Sequence, residues 1–249
     1  MVLVPHTYKF DNMKVSYNKV IIITVGKVGT SNFLHAEYNL KKDNIIHTHN
    51  LNILRECLKN DTNCLIIVGI RNPIDRNLSN LFQTYSDNFY NDVKTIKNNY
   101  KGEYCYIPEM TLNSTPEEVI SLYFNQKYHN TFNEWFKEFF EITKLDKKIF
   151  NKNNGIEFYK FPNNNTIMLY TLEKLDQNIN YINQLLQIKN INNNNNSENR
   201  NYKNLYLNVK NKIKYNKKYL DNLLNTEIMK FFYTQGDINN MYLKYNIII

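Results

Sequence analysis

Short blocks of β-branched and aliphatic residues alternate along this chain with stretches whose apolar positions recur every three or four residues. That alternation predicts an α/β sheet with parallel strands joined by helices. Lys19 to Val25 is a continuous apolar run of strand length, and its Ile and Val content favours a buried central strand. It ends in Gly26-Lys27-Val28-Gly29, after which Ser31 to Asn39 has helical spacing with Thr30 or Ser31 as N-cap. A second apolar block, Ile45-Ile46, leads into His47-Thr48-His49 and then into helix spacing from Leu51 to Asn60. Cys64 to Ile70, "CLIIVGI", is the next buried strand, and Pro73 beyond it suits the first turn of a helix. Tyr85 to Pro108 is irregular and polar, with turn signals at Gly102 and Pro108, and reads as a flexible loop over a cleft. Thr115 caps the helix opening in "TPEEVISLYF", whose first turn holds two acids. In "NTFNEWFKEFFEITKL", Phe132, Trp135, Phe136, Phe139 and Phe140 fall on or near one face and are expected in the core. "NTIMLYTLEKL" supplies a late strand, and helices follow in "DQNINYINQLLQI" and "LDNLLNTEIMKFFYTQGDINNMYLKYN".

Length and composition narrow this picture. The 249 residues, 42% hydrophobic and 14% aromatic, suffice for one good-sized core, so a single domain over 1–249 is expected. Lys and Arg number 31 against 23 Asp and Glu, and the net charge of +8 suits a polyanion, a phosphorylated small molecule or an acidic surface. No motif of a nucleic-acid-binding module accompanies the charge. No apolar run approaches the roughly 18 to 20 residues of a membrane span, and the "MVLVPHTYKFDN" start lacks a signal-peptide pattern. A soluble, cytoplasmic or otherwise intracellular protein is the expectation. Cys57, Cys64 and Cys105 leave at least one thiol unpaired, which suits a reducing compartment, and their spacing predicts no metal site. The Asn-rich tract from Ile191 to Asn201 cannot bury apolar surface and is expected to be a mobile loop.

Two segments carry candidate chemistry. A loop between a buried strand and a helix N-terminus aims backbone N–H groups and the positive end of the helix dipole at one spot, where phosphate or sulfate binds. Lys27 adds a point charge there, and Thr30 and Ser31 add hydroxyls. The order is not that of a Walker A loop, in which the Lys follows the second Gly and directly precedes a hydroxyl. Arg71 lies just past the carboxyl end of a buried strand, where open α/β sheets bind ligands, and Ser79 follows two helical turns later. An Arg fork and a Ser hydroxyl make a second anion site, so a ligand with two separated anionic groups is implied.

At these residues the chain resembles the sulfotransferases that use 3'-phosphoadenosine 5'-phosphosulfate (PAPS). "GKVGTSNF" is similar to the family's 5'-phosphosulfate loop and "RNPIDRNLSNLF" to its R-[ND]-P-x-x-R-x-x-S segment for the 3'-phosphate. The resemblance implies a three-layer P-loop-like sulfotransferase fold with a central parallel sheet. It assigns Lys27, Val28, Gly29, Thr30, Ser31 and Asn32 to the 5' end, and Arg71 and Ser79 to the 3'-phosphate. "IIHTHNL" is similar to the His-x-His pair of uronosyl 2-O-sulfotransferases, which implies His49 as general base with His47 orienting it or touching the acceptor. "NEWFKEFFEIT", "NGIEFYKFP" and "MLYTLEKL" are loosely similar to a bacterial group of capsular polysaccharide synthesis proteins. The implied reaction moves a sulfonate from PAPS to a hydroxyl of a saccharide, leaving 3'-phosphoadenosine 5'-phosphate (PAP), with Lys27 stabilising the leaving group and no metal.

Other residues fall around this scheme. Glu173, after the late strand, is expected to pair with a basic residue or help close the site, while His35 and His129 read as structural or exposed. The family's C-terminal "RKG" loop has no counterpart; Lys203, Lys210 and Lys212 are the nearby cations. Two other classes stay open from sequence: a P-loop-type phosphotransferase or kinase, against which the Lys27 position argues, and a nucleotide- or polyanion-binding protein without catalysis.

Overall fold

The computed structural model describes residues 6–7, 17–90, 113–125, 129, 131–146, 150–191 and 202–245. Among the described residues six strands form one sheet: β1 (His6–Thr7), β2 (Lys19–Ile23), β3 (Ile45–Thr48), β4 (Cys64–Ile70), β5 (Ile156–Lys160) and β6 (Thr166–Thr171), in the order β1-β5-β6-β4-β2-β3. β3, β2, β4 and β6 run parallel, whereas β5 pairs antiparallel with β6 and β1 antiparallel with β5. The sheet is therefore mixed, not wholly parallel as the alternation of elements predicts. The reason is local. Only five residues, Phe161 to Asn165, join β5 to β6, and they close with Phe161 N–H donating to the Asn165 carbonyl at 2.8 Å. So short a connection can only return the chain antiparallel.

Helices cover both faces. The period of two sends Ile21, Ile23, Ile66, Val68, Ile70, Ile167 and Leu169 into one core and Val20, Ile22, Leu65, Ile67, Met168 and Tyr170 into another. The first core meets α2 (Leu51–Asn60), α3 (Pro73–Tyr90), α4 (Pro116–Phe124), α5 (Thr131–Thr143) and the C-terminal α7 (Lys203–Lys212), α8 (Lys217–Leu224), α9 (Glu227–Phe232) and α10 (Gln235–Lys244). The second meets α1 (Thr30–Leu34) and α6 (Leu175–Leu186). Phe132, Phe136, Phe139 and Phe140 are buried as their spacing predicts, and Trp135 lies partly buried at the edge. The Thr115 capping box is present, with its hydroxyl accepting from Glu118 N–H and the Glu118 carboxylate from Thr115 N–H.

Three boundaries differ from expectation. Helix α1 stops at Leu34 instead of running to Asn39, because Glu37 leaves to exchange backbone hydrogen bonds with Lys189 at 2.8 and 3.1 Å. Its N-cap is Gly29 in a left-handed conformation, with no side-chain cap from Thr30 or Ser31. Helix α3 runs on to Tyr90, through the first part of the stretch expected as loop. The rest of that stretch, 91–108, and nearly all of the Asn-rich tract lie outside the described residues. Among the described residues no helix is long and apolar enough to cross a membrane.

His129 is buried against the Tyr123 ring at 4.6 Å between centroids. Burial, aided by the Arg76 charge, lowers its pKa from 6.5 to about 4. Between those values the native imidazole stays neutral while the unfolded chain takes up a proton, so stability rises with pH across this window. The contribution is complete above the unfolded value and is lost as the pH falls toward the folded one. Denaturant titration at roughly pH 7 and pH 4.5 should show the wild type losing about 2 kcal/mol more than His129→Phe on acidification. Equal losses would refute this assignment.

Candidate functional site

The chain leaves β2 for β3 on one side and leaves β4 for β5 and β6 on the other, so the crevice between the carboxyl ends of β2 and β4 is the topological switch point. Both sequence-predicted segments arrive there. The loop after β2 carries Val25 to Gly29, and Arg71-Asn72 follows β4 directly.

Five successive carbonyls of the first loop are each held by a side chain. His49 Nδ1 lies 2.6 Å from the Thr24 carbonyl; Arg76 donates through Nη2 to Val25 O at 2.8 Å and through Nε to Gly26 O at 3.4 Å. Arg71 donates to Lys27 O at 3.4 Å, and the Tyr170 hydroxyl donates to Val28 O at 2.8 Å. A trans peptide turns the following N–H opposite to each carbonyl, and of these the Gly26 N–H donates to the Thr24 hydroxyl at 3.4 Å.

The backbone needed for this is unusual. Gly26, Lys27 and Gly29 all have positive φ, at 85°, 61° and 77°. For a lysine this conformation costs about 1 kcal/mol, a strain found at ligand-binding loops. A Cβ on Gly29 would sit 2.5 Å from Leu172 Cδ1, so the end of that side chain would have to move as well. Gly69 in β4 answers a different demand. Tyr170 is its register partner on β6, and a Cβ on Gly69 would lie 2.5 Å from the Tyr170 ring and hydroxyl. The missing side chain is the path by which Tyr170 reaches Val28.

The histidines sit beside the loop. His49 Cε1 is 3.7 Å from where a Gly26 Cβ would be, and the His47 and His49 rings meet edge to face at 5.0 Å. A carbonyl only accepts, so the Thr24 contact places the His49 proton on Nδ1 and leaves Nε2 as the basic atom. Trp135 Nε1 donates to the His49 carbonyl at 3.1 Å, so α5 anchors the segment. Partial desolvation, then the neighbouring His49, lowers the His47 pKa.

Behind Arg71 lies a polar network that the sequence reading did not foresee. Asn72 caps α3, with Oδ1 accepting from Ile74 N–H at 2.9 Å, and its amide donates to the Tyr245 hydroxyl at 2.8 Å. Glu173 accepts from Asn72 N–H and from the Tyr233 hydroxyl, both at 2.8 Å. Crowding by protein raises the Glu173 pKa against the pull of these bonds and of Arg71, although the residue as a whole remains open to solvent. Glu173 thus ties the crevice to the C-terminal helices through Asn72 and Tyr233. The Arg71 charge acts on the Tyr206 hydroxyl, partly offsetting the rise that burial gives its pKa, and Lys210 lies 5.9 Å from the Tyr206 ring centroid. Lys212 pairs instead with Glu117 at 2.9 Å.

Not every expected residue faces the crevice. Asn32 and the Val28 side chain are buried, and Ser31 Oγ is buried without a hydrogen-bond partner among the described residues. The Thr30 hydroxyl is 3.1 Å from that of Thr24. Lys27, Gly29, Thr30, Arg71 and Ser79 are half-buried, and His47 and His49 are exposed. His35 is exposed just past α1. Arg76 is the residue missed in the second segment: it stands in the same Arg-Asn-Pro-x-x-Arg spacing, yet only the fold shows that it grips the first loop. No family model, characterised protein or solved structure matches this chain.

Replacing Tyr170 by Phe keeps the ring over Gly69 but strands the Val28 carbonyl. The expected loss is about 1–3 kcal/mol of stability in urea unfolding, with weaker anion binding at the loop. Gly29→Ala should cost at least as much, because strain and the Leu172 contact act together.

Proposed function

We propose that this protein is a sulfotransferase of three-layer P-loop-like fold that moves a sulfonate from PAPS to a hydroxyl group of a saccharide. The observation that carries the reading is the glycine-rich loop at the switch point, whose five carbonyls are all held from the protein side, with Arg71 beside it. A donor with anionic groups at both ends spans such a pair of sites. In this reading the loop amides, Lys27 and Thr30 bind the 5'-phosphosulfate; Arg71 and Ser79 bind the 3'-phosphate. Val28, Ser31 and Asn32 act through the loop backbone, since their side chains are buried or turned inward.

Transfer forms a bond from the acceptor oxygen to sulfur and breaks the bond from sulfur to the bridging oxygen, releasing PAP. His49 Nε2 takes the acceptor proton, and the Nδ1 contact to Thr24 holds that tautomer through the step. In this reading His47, whose ring meets that of His49 edge to face, orients His49 or touches the acceptor. The Lys27 ammonium stabilises charge on the bridging oxygen.

Calorimetric titration of PAP without metal, against ATP and AMP, tests the donor site. Micromolar binding that requires the 3'-phosphate and falls roughly 10- to 100-fold in Arg71→Ala is expected. Equal or tighter binding of ATP, or none of either, would move the protein to another class. In an acceptor screen, His49→Gln should lower turnover about 100-fold or more with PAP affinity little changed. Lys27→Gly separates function from fold: relief of the left-handed strain should hold stability or raise it by up to about 1 kcal/mol, while turnover collapses. A parallel loss of both would assign Lys27 a structural role.

A further inference from the structure

The end of the sheet opposite the crevice gathers a second group of reactive side chains. Cys57 lies in the last turn of α2, Cys64 opens β4, and Asp61 stands in the loop between them. Their two Sγ atoms and a carboxylate oxygen all lie within 4.8 Å of one another. The spacing C-x3-D-x2-C carries no metal signature in the sequence. The fold supplies the proximity, because α2 ends where β4 begins and the turn is pinned from β6's side. Asn165, wholly buried, accepts from Cys64 N–H at 2.8 Å and donates to the Asp61 carbonyl at 3.1 Å. Asn163 donates to Leu58 O at 3.2 Å and to Asp61 O at 2.9 Å. The thiols are therefore held by backbone that has little freedom to drift.

We propose that Cys57, Asp61 and Cys64 bind a thiophilic divalent cation of the zinc type. Two sulfurs and one carboxylate suit zinc, whereas magnesium and calcium take shells of oxygen. With Zn–S near 2.3 Å and Zn–O near 2.1 Å, tetrahedral donors stand about 3.5–4 Å apart, so the present arrangement needs to contract by only about 1 Å. Binding forms two metal–sulfur bonds and one metal–oxygen bond, and each thiol gives its proton to solvent. Asp61 is half-exposed, which leaves the fourth position open to water. Two thiolates and a carboxylate against a divalent cation leave one negative charge, and Lys19, 2.6 Å from Asp61 Oδ2, neutralises it. A carboxylate has two oxygens, so the ammonium group and the cation can share it. The seven residues of β4 separate this site from the crevice by about 20 Å. Its role is then to fasten α2 to β4, one of the two strands that define the crevice, and it does not depend on the sulfotransferase reading.

The test is titration of the reduced protein with Co2+, read by its thiolate-to-metal charge-transfer absorption, followed by displacement with Zn2+. One equivalent is expected, with the band lost in Cys57→Ser and Cys64→Ser, binding weakened at least tenfold in Asp61→Asn, and no change in Cys105→Ser. Mg2+ should not displace the cobalt. Circular dichroism checks that each variant is folded. Where a cysteine variant is not, Asp61→Asn and a zinc-dependent rise in the wild-type Tm decide. Absence of the band, its survival in the Cys57→Ser/Cys64→Ser double variant, its loss in Cys105→Ser, or a Tm indifferent to zinc would overturn the proposal.

Discussion

The crevice depends on one constraint: the carbonyls of residues 24 to 28 must all be satisfied from the protein side. A loop whose carbonyls faced the ligand would repel an anion, and a loop whose carbonyls were buried unpaired would cost about 1–3 kcal/mol for each. Arg76, Arg71, Tyr170 and His49 meet that demand from four different elements or their flanks. Much of the surrounding architecture follows from placing these four groups. Arg76 is buried, and its charge is tolerable in the core because the Val25 and Gly26 carbonyls and Asn77 accept from it. Tyr170 reaches its target only across a glycine.

The same groups serve two ends at once. Arg76 orients the loop backbone and, through its charge, helps hold His129 neutral in the core. His49 fixes the Thr24 peptide with one ring nitrogen and by that act frees the other for proton transfer. Glu173 joins the start of α3 to Tyr233, while Asn72 reaches Tyr245, so the C-terminal helices form part of the wall behind Arg71. A polar network of this kind is fully effective only when every member is paired, which couples the position of Arg71 to packing more than 150 residues away in sequence.

The two ends of β4 show how the fold divides its chemistry. At the carboxyl end the strand delivers Arg71 to an open crevice; at the amino end it delivers Cys64 to a closed turn beside Cys57. One end is cationic and built around a glycine-rich loop. The other is built from soft donors and a carboxylate, balanced by Lys19.

Local pattern determined the elements whose residues decide their own conformation. Runs such as Cys64 to Ile70, the proline-led α3 and the capping box at Thr115 carry their propensities and caps within a few residues, so they are legible without any neighbour. The arrival of Lys27 and Arg71 at one crevice was legible too, because strand-to-helix loops in such sheets end on the same edge. The early end of α1, the antiparallel β5, the inward turn of Asn32 and Ser31, and the grip of Arg76 on Val25 and Gly26 were not. Each is decided by a partner distant in the chain, Lys189 for α1 and Tyr170 for the loop, and no local periodicity encodes such a contact. The meeting of Cys57, Asp61 and Cys64 belongs to the same class: their spacing is silent, and only the packing of α2's end on β4's start, held by Asn163 and Asn165, brings three donors to one point.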